Sequence, residues 1–258
     1  MAVTIGPHET ELRQLAQRVA APGAREPFGA YIFRSDEPGA ALGRHVERVV
    51  FLEAFGNTAE QLAEEYGPYE PSSFFICVVD HLRSLPAGVI RVLQPSPAGF
   101  KSLKDIEPVW GEPAETIIER TGLALDTDRT WDIATLAVAP EYRAKATAGL
   151  VTMGLYQSLS LTAWNSGIEW FVAILDVPVL RILRWKFHAV WAGYQGIAPR
   201  AYLGSAASMP AWCNVVDAER RLAATDTELH AILAQGIGLE AALRPVTLPE
   251  PLALPGVS

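Results

Sequence analysis

Short apolar runs alternate with stretches of helically spaced apolar residues along the chain. Six of the runs are rich in β-branched and aromatic residues, which favour strands. One of them, Ser73 to Asp80, is apolar on both faces, which is typical of a central strand. The runs predict strands at residues 28–35, 73–80, 87–93, 130–139, 169–175 and 210–216.

Apolar residues three and four positions apart predict helices between these strands. Thr58 and Gln61 have the spacing of a capping box, and so do Thr225 and Glu228. Residues 94–113 are predicted to form a long loop. The predicted helices cover residues 11–20, 42–55, 58–66, 114–120, 149–164, 177–187 and 226–235.

The order of these elements indicates a mixed sheet with helices on both faces, hence an α/β or α+β fold. The strands and the helices between them predict a main domain over residues 28–217. Residues 1–27 form an N-terminal helical extension in this interpretation. Residues 218–258 form a C-terminal helix followed by a proline-rich tail.

Composition narrows the function classes. Half of the 258 residues are apolar, which predicts a packed core. The net charge of −8 argues against nucleic-acid binding, since no excess of basic residues is present to neutralise phosphates. Two cysteines in apolar runs, Cys77 and Cys213, predict reduced thiols and a cytoplasmic location. We expect no metal site and no membrane span, because metal-ligand spacings and long apolar stretches are missing from the sequence.

The segment 131–150 has the pattern of an anion site. A strand leads into a loop with Arg143 and Lys145, and a helix follows whose first turn has small residues. Free N–H groups at a helix N-terminus favour phosphate. The alternative is that the two basic side chains are simply solvated.

Within this segment, the pattern Leu136-x-Val138-x-Pro140-x-Tyr142-Arg143 followed by small residues resembles the acyl-CoA motif of the GNAT acyltransferases. The family reads Gln/Arg-x-x-Gly-x-Gly/Ala, and Ala146 replaces the central glycine here. The resemblance covers residues 28–217 and implies a mostly antiparallel central sheet. Such folds often pair between subunits near the C-terminal end, so a homodimer is one expectation.

A narrower resemblance points to acyl-homoserine-lactone synthases and their long-chain N-acyl amino acid synthase relatives. It rests on Gly88-Val-Ile-Arg91-Val-Leu, on Trp131-Asp-Ile-Ala-Thr-Leu-Ala-Val, and on Val179-Leu-Arg181-Ile-Leu-Arg184. In that branch an acidic residue is followed three positions later by an arginine. Asp132 matches the acid, whereas Thr135 replaces the arginine.

The resemblance implies roles for particular residues. A thioester arm would lie along the strand, and its pyrophosphate would bind the loop; the corresponding residues are Leu136, Ala137, Val138, Arg143, Ala144, Lys145, Ala146, Thr147 and Ala148. Asp132 would take the proton of the attacking amine, or serve only as a buried hydrogen-bonding group. A bulge between Asp132 and Thr135 would bring both to one cleft. Arg91 and Lys104 would hold an acceptor carboxylate or part of the carrier, or Arg91 would form a structural ion pair.

The expected activity is transfer of an acyl group from acyl-CoA or acetyl-CoA, or from an acyl-carrier protein, to the amine of a small molecule. Arg181, Arg184 and Lys186 are candidates for docking the carrier protein or the 3′-phosphate of CoA. The alternative is that they form a solvated helix face. Trp110, Trp131, Trp185 and Trp191 are candidates for lining an acyl pocket. The alternative is a non-catalytic protein of the same fold that binds a ligand, or one that uses another donor. The usual acid, a tyrosine after the fifth strand, is missing from residues 177–188.

Overall fold

The computed structural model describes residues 7–20, 25–143, 147, 149–186 and 191–248, and nine strands among them form one sheet. The order across the sheet is β6-β8-β5-β4-β3-β2-β1-β9, with β7 paired to β8. All pairs are antiparallel except β1–β9 and β4–β5. The strands are β1 Phe28–Arg34, β2 Ser73–Asp80, β3 Leu85–Leu93, β4 Thr130–Val138, β5 Trp170–Asp176, β6 Trp191–Gly193, β7 Arg200–Tyr202, β8 Ser205–Asn214 and β9 Leu243–Arg244.

Helices cover both faces of this sheet, as predicted. Residues 94–113, which were expected to be a loop, contain two short helices, and residues 215–225 form a helix that was not predicted. The helices are α1 Pro7–Val19, α2 Ala40–Phe55, α3 Ala59–Tyr66, α4 Lys101–Lys104, α5 Ile106–Trp110, α6 Ala114–Thr121, α7 Leu150–Asn165, α8 Val177–Lys186, α9 Val215–Thr225 and α10 Thr227–Gln235. No helix in the described part of the chain is both long and apolar enough to cross a membrane.

Small residues let α2 and α7 approach the sheet from opposite sides. A Cβ atom on Gly43 of α2 would lie 2.8 Å from the Phe75 ring, and one on Gly88 of β3 would lie 2.8 Å from Val151 of α7. The two glycines therefore set the spacing of the layers. The expected mixed, mostly antiparallel sheet with helices on both faces is confirmed.

The two predicted capping boxes have different outcomes. Thr58 and Gln61 form theirs at the start of α3. The box at Thr225 and Glu228 is wrong, because Asp226 caps α10 by accepting a hydrogen bond from the Leu229 N–H at 2.9 Å. Thr225 instead ends α9, and its hydroxyl donates to the Arg221 carbonyl. Thr225 and Asp226 are both suitable N-cap residues. Asp226 caps the helix because α10 begins at the residue directly after it.

Neither of the two proposed domain boundaries coincides with a clear structural division. The N-terminal helix α1 packs Leu12, Leu15 and Ala16 against Leu42 and Val79 of the main domain. The boundary at residue 217 falls inside α9. The division into three parts stays a prediction.

We expect Gly88→Ala to destabilise the fold, because the new methyl group meets Val151, Leu155 and the Ala137 carbonyl within 3.2 Å. Overpacking of this kind costs about 1–3 kcal/mol, measurable by urea unfolding. Ala54→Ser is the control, since it adds one heavy atom at an exposed position of α2 and should cost about 0.5 kcal/mol. Equal unfolding free energies for the two variants would contradict this account of layer spacing.

Candidate active site

A cavity of about 220 Å³ lies where β4 and β5 part. The two strands pair from Thr130–Trp170 to Asp132–Val172, and the ladder ends there although both strands continue. Ile133 to Leu136 line one side of the resulting gap, and Ile174 to Asp176 line the other. The gap connects the α2 face of the sheet with the α7 face.

A bulge in β4 orients the residues at the gap. Arg91 of β3 pairs with Thr135, whereas Val92 pairs with Ile133, so Ala134 is the extra residue. Leu93 pairs with Asp132, and positions 91 and 93 of β3 share a face, so Asp132 and Thr135 share that face as well. The condition under which these two residues share a face, a bulge between them, is therefore met.

The backbone of β4 presents hydrogen-bonding groups to the gap. The Ala139 N–H donates to the Ala87 carbonyl across the β3 side. Because backbone direction alternates along a strand, Leu136 and Val138 direct their N–H and C=O groups toward the side that β5 has left. The Val138 carbonyl accepts a hydrogen bond from Arg143 Nε at 2.9 Å.

The half of the cavity on the α2 face is polar and aromatic. Its hydrogen-bonding side chains come from five elements and comprise Tyr66, Thr135, Asp176, Tyr202, Ser205 and Ser208. The Tyr66 hydroxyl donates to the carbonyl of the bulge residue Ala134 at 3.3 Å. Burial, with the nearby Glu47 carboxylate, raises the pKa of Tyr66, so its phenol stays protonated as a donor.

A hairpin tip closes over this half of the cavity. Leu203 and Gly204 form the two-residue turn between β7 and β8, and both have positive φ values, 43° and 84°. A Cβ atom on Gly204 would lie 2.5 Å from the Phe55 carbonyl at the end of α2. Glycine is therefore required for the hairpin to reach the helix across the opening.

The half of the cavity on the α7 face is mainly apolar. Phe171 and Cys213 pair across β5 and β8 on this face, and Phe171 stacks on the ring of Trp191. Its apolar and aromatic side chains include Tyr156, Leu159, Trp164, Phe171, Leu183, Trp191, Cys213, Val215, Leu222 and Leu233. Such a lining suits a hydrocarbon chain.

Of the tryptophans proposed for an acyl pocket, Trp191 lines the cavity. Trp131 and Trp110 are buried outside it, and Trp185 is 83% exposed. Trp164, which was not among these candidates, also lines the cavity.

Arg91 lies in a buried ion cluster behind the cavity. Its Nε and Nη2 atoms donate to both oxygens of Glu47 at 2.9 and 2.7 Å, and Nη1 donates to Glu70 at 2.8 Å. The rings of Tyr66 and Phe75 lie on the guanidinium, each 4.6 Å away. Every guanidinium nitrogen of Arg91 thus donates to a carboxylate of the protein, and Arg91 is not among the residues that line the cavity. This geometry is that of a structural ion pair.

Thr135 connects the cluster to the cavity. Its hydroxyl donates to Oε1 of Glu47, so the proton of that hydroxyl is committed. Thr135 lines the cavity, and toward the cavity its Oγ1 can act as a hydrogen-bond acceptor.

Asp132 is fully buried behind the same face. Its two oxygens accept hydrogen bonds from the backbone N–H and the hydroxyl of Ser102, which ties β4 to α4. Burial raises the pKa of Asp132 to about 6, while the Ser102 donors oppose that rise. Asp132 is not among the lining residues, and its role as a base stays a prediction.

The expected phosphate loop is described only in part. Arg143 is exposed at its entrance, and its Nη1 lies 3.6 Å from Glu53. The Thr147 hydroxyl donates to the Tyr142 carbonyl at 2.9 Å. Ala144, Lys145, Ala146 and Ala148 lie outside the described residues.

The outer face of α8 carries the residues proposed for carrier-protein docking. Arg181 and Arg184 are exposed beside Ile182 and Trp185, and Arg184 Nε donates to the Trp191 carbonyl at 2.7 Å. The side chain of Lys186 lies outside the described part. Docking at this face stays a proposal.

Sequence reasoning missed Glu47, Tyr66, Asp176 and Tyr202. Of these four, only Glu47 could have been identified from the sequence. It falls on the apolar face of a predicted helix, and Arg91 likewise falls within an apolar strand. Two buried charges of opposite sign then need each other. The other residues meet through contacts between elements distant in the chain.

Comparison with known proteins supports the fold assignment. No family model matches the chain, and no curated protein matches it in sequence. The CoA-dependent acyl-homoserine lactone synthase BjaI, solved with SAM and isopentyl-CoA, superposes with a TM-score of 0.54 at 13% identity, over 85% of this chain and 93% of BjaI. FeeM, an N-acyl amino acid synthase from uncultured soil microbes, gives 0.51 at 13% identity, over 76% and 94%.

The chain therefore has the GNAT-type fold, in the form found in the acyl-homoserine lactone synthases and the N-acyl amino acid synthase. Both likenesses concern the fold. The family resemblance of the sequence motifs and the architecture of the molecule agree.

We expect Arg91→Met to destabilise the protein strongly, because it leaves Glu47 buried and without its bidentate partner. Breaking one side of such a pair costs about 3–5 kcal/mol, measurable by urea unfolding. Arg220→Met is the control, because its pair with Asp217 is largely exposed and should contribute at most about 1 kcal/mol. A small effect of Arg91→Met would indicate that Arg91 is free for another role.

Proposed function

We propose that this protein transfers an acyl group from acyl-CoA to the amine of a small molecule. The observation that carries the proposal is one cavity through the sheet with two chemically different halves. An apolar half on the α7 face and a polar half on the α2 face meet at the backbone edge of β4. Such a cavity suits a reaction that joins a hydrocarbon thioester to a polar amine.

The donor fits the edge of β4 and the loop after it. The amide groups of a pantetheine arm pair with the backbone groups of Leu136 and Val138 in the manner of an added strand. The Leu136 N–H is then a donor to the thioester carbonyl, which accumulates negative charge during attack. Arg143 at the loop entrance provides a positive charge for the pyrophosphate.

The acceptor amine approaches from the α2 face in its neutral form. Its nitrogen attacks the carbonyl carbon, the C–N bond forms and the C–S bond breaks. CoA leaves as a thiolate, and the proton lost by the amine balances that charge, so the products are an amide and free CoA thiol. Thr135 Oγ1 accepts a hydrogen bond from the amine and positions it. Asp132 is the proposed acceptor of the proton, through a water.

The acyl chain occupies the apolar half. An acetyl group is too short to cover the apolar side chains of this half, such as Leu159 and Leu233. A medium or long acyl chain covers them. We therefore propose a fatty-acyl donor. An acyl-carrier protein docked on α8 is the second donor that this site admits, and the homodimer and the cytoplasmic location remain proposals.

We expect acyl-CoA to raise the melting temperature increasingly with chain length, because each added methylene buries apolar surface. A ligand at about a hundred times its dissociation constant adds about 2.7 kcal/mol to stability. Ala218→Phe should flatten this dependence, since Ala218 lines the apolar half. Ala224→Phe, exposed on the same helix, should preserve it.

If the rise in melting temperature is independent of acyl-chain length in Ala224→Phe as well as in Ala218→Phe, the acyl chain does not enter the apolar half. Stabilisation without release of CoA thiol, for any amine, would instead favour the non-catalytic alternative.

We expect Ser102→Ala to shift the acidic limb of the kcat/KM profile upward in pH. The Ser102 hydroxyl stabilises the charged form of Asp132, so its removal raises a pKa that is already about 6. A base must be deprotonated, so activity would then appear at higher pH. Ser73→Ala is the control, because that buried hydroxyl donates to the Tyr69 carbonyl instead. An unmoved limb in Ser102→Ala would exclude Asp132 as the base.

A further inference from the structure

The charges that line the cavity have one sign. Among the described lining residues, Asp176 and Glu219 are the ones with charged side chains, and both are acidic. Glu219 lies on α9 by the apolar half, and its Oε1 is 2.7 Å from His230 Nε2. Among the described residues that line the polar half, Asp176 is therefore the one whose side chain carries a formal charge.

The basic residues near the polar half are committed to protein carboxylates. Arg91 is held by Glu47 and Glu70, as described above. Lys101 is buried, and its Nζ lies 2.6 Å from Glu65 and 2.5 Å from Asp105. Neither residue lines the cavity. A substrate carboxylate entering this half would lose its hydration without gaining a cation from these residues, which is unfavourable.

Asp176 is well oriented to receive a cation. Val172 pairs with Asp132, and alternation along β5 puts Asp176 on that same face, which Thr135 shares. One carboxylate oxygen, Oδ1, accepts a hydrogen bond from Ser208 at 2.9 Å, which fixes the side chain. The rings of Tyr66 and Tyr202 line the same half, but Arg91 and Lys101 already lie against them. The Asp176 carboxylate is therefore the group that pairs with an incoming cation.

We infer that the acceptor is an amine without a carboxylate that carries a second positive charge, as an alkyl diamine does. The reacting nitrogen is neutral and hydrogen-bonds to Thr135, while the distal ammonium pairs with Asp176. This inference rests on the proposed acyl transfer and names its acceptor class. It makes Asp176 a determinant of specificity, and it excludes free amino acids as preferred acceptors.

The test compares three amines of equal chain length with the full-length protein and a fatty acyl-CoA, by release of CoA thiol. We expect kcat/KM to fall in the order putrescine, butylamine, γ-aminobutyrate. Asp176→Asn should reduce kcat/KM for putrescine by about 10- to 100-fold, the value of one hydrogen bond to a charged group, and leave butylamine nearly unchanged. Asp128→Asn, an exposed aspartate before β4, removes the same charge elsewhere and should change neither.

A binding measurement separates this inference from the proposed function. Calorimetric titration of putrescine into the protein saturated with CoA should show binding that Asp176→Asn weakens by a similar factor and Asp128→Asn does not. Turnover of butylamine and γ-aminobutyrate at rates equal to putrescine would overturn the acceptor class while leaving acyl transfer intact. Absence of putrescine binding would likewise overturn it. Binding of putrescine without turnover of any amine would retain the subsite and contradict the transfer reaction.

Discussion

The separation of β4 from β5 after Asp132 is the constraint on which the site depends. A strand that loses its partner inside a sheet exposes backbone donors and acceptors, and these groups need other partners when they are buried. Side chains supply some of them, since Tyr66 donates to the Ala134 carbonyl and Arg143 to the Val138 carbonyl. In the proposed reaction, the backbone edge from Leu136 to Val138 pairs with the pantetheine arm of the donor. The gap between β4 and β5 removes backbone hydrogen bonds from the fold, and the groups left unpaired are those that the proposed donor uses.

The buried ion cluster fixes the shape of that gap. Glu47 joins α2 to Arg91 of β3 and to Thr135 of β4, so three elements are held by one carboxylate. A buried pair contributes little net stability compared with apolar packing, but its geometry is strict. That strictness acts at the bulge, where a shift of one residue would move Thr135 to the face opposite Asp132. The cluster therefore holds the register on which the cavity depends.

The sequence made six of the nine strands and the helices on both faces predictable, because alternation and helical spacing are local properties. Strands β6, β7 and β9 have only two or three residues each, too few for such a pattern. The bulge in β4 entered only as the condition for Asp132 and Thr135 to share one cleft. The backbone edge at Leu136 was expected from the motif beside Arg143. The walls of the cavity were not predictable, because Tyr66, Asp176 and Tyr202 come from α3, β5 and β7 and meet only through packing. The capping of α10 shows the same limit at short range, since Thr225 and Asp226 compete and only the folded backbone decides between them.

The threonine at position 135 links the architecture to the choice of acceptor. In the branch that the sequence resembles, an arginine stands at this position, where it would bring a positive charge to the cavity. Here Arg91 already satisfies Glu47, and Thr135 needs to supply only a neutral donor to that carboxylate. The cavity consequently keeps the negative charge of Asp176 without a lining cation among the described residues to oppose it. A cation is the partner that this balance of charge favours, and an amine with a second ammonium group provides one.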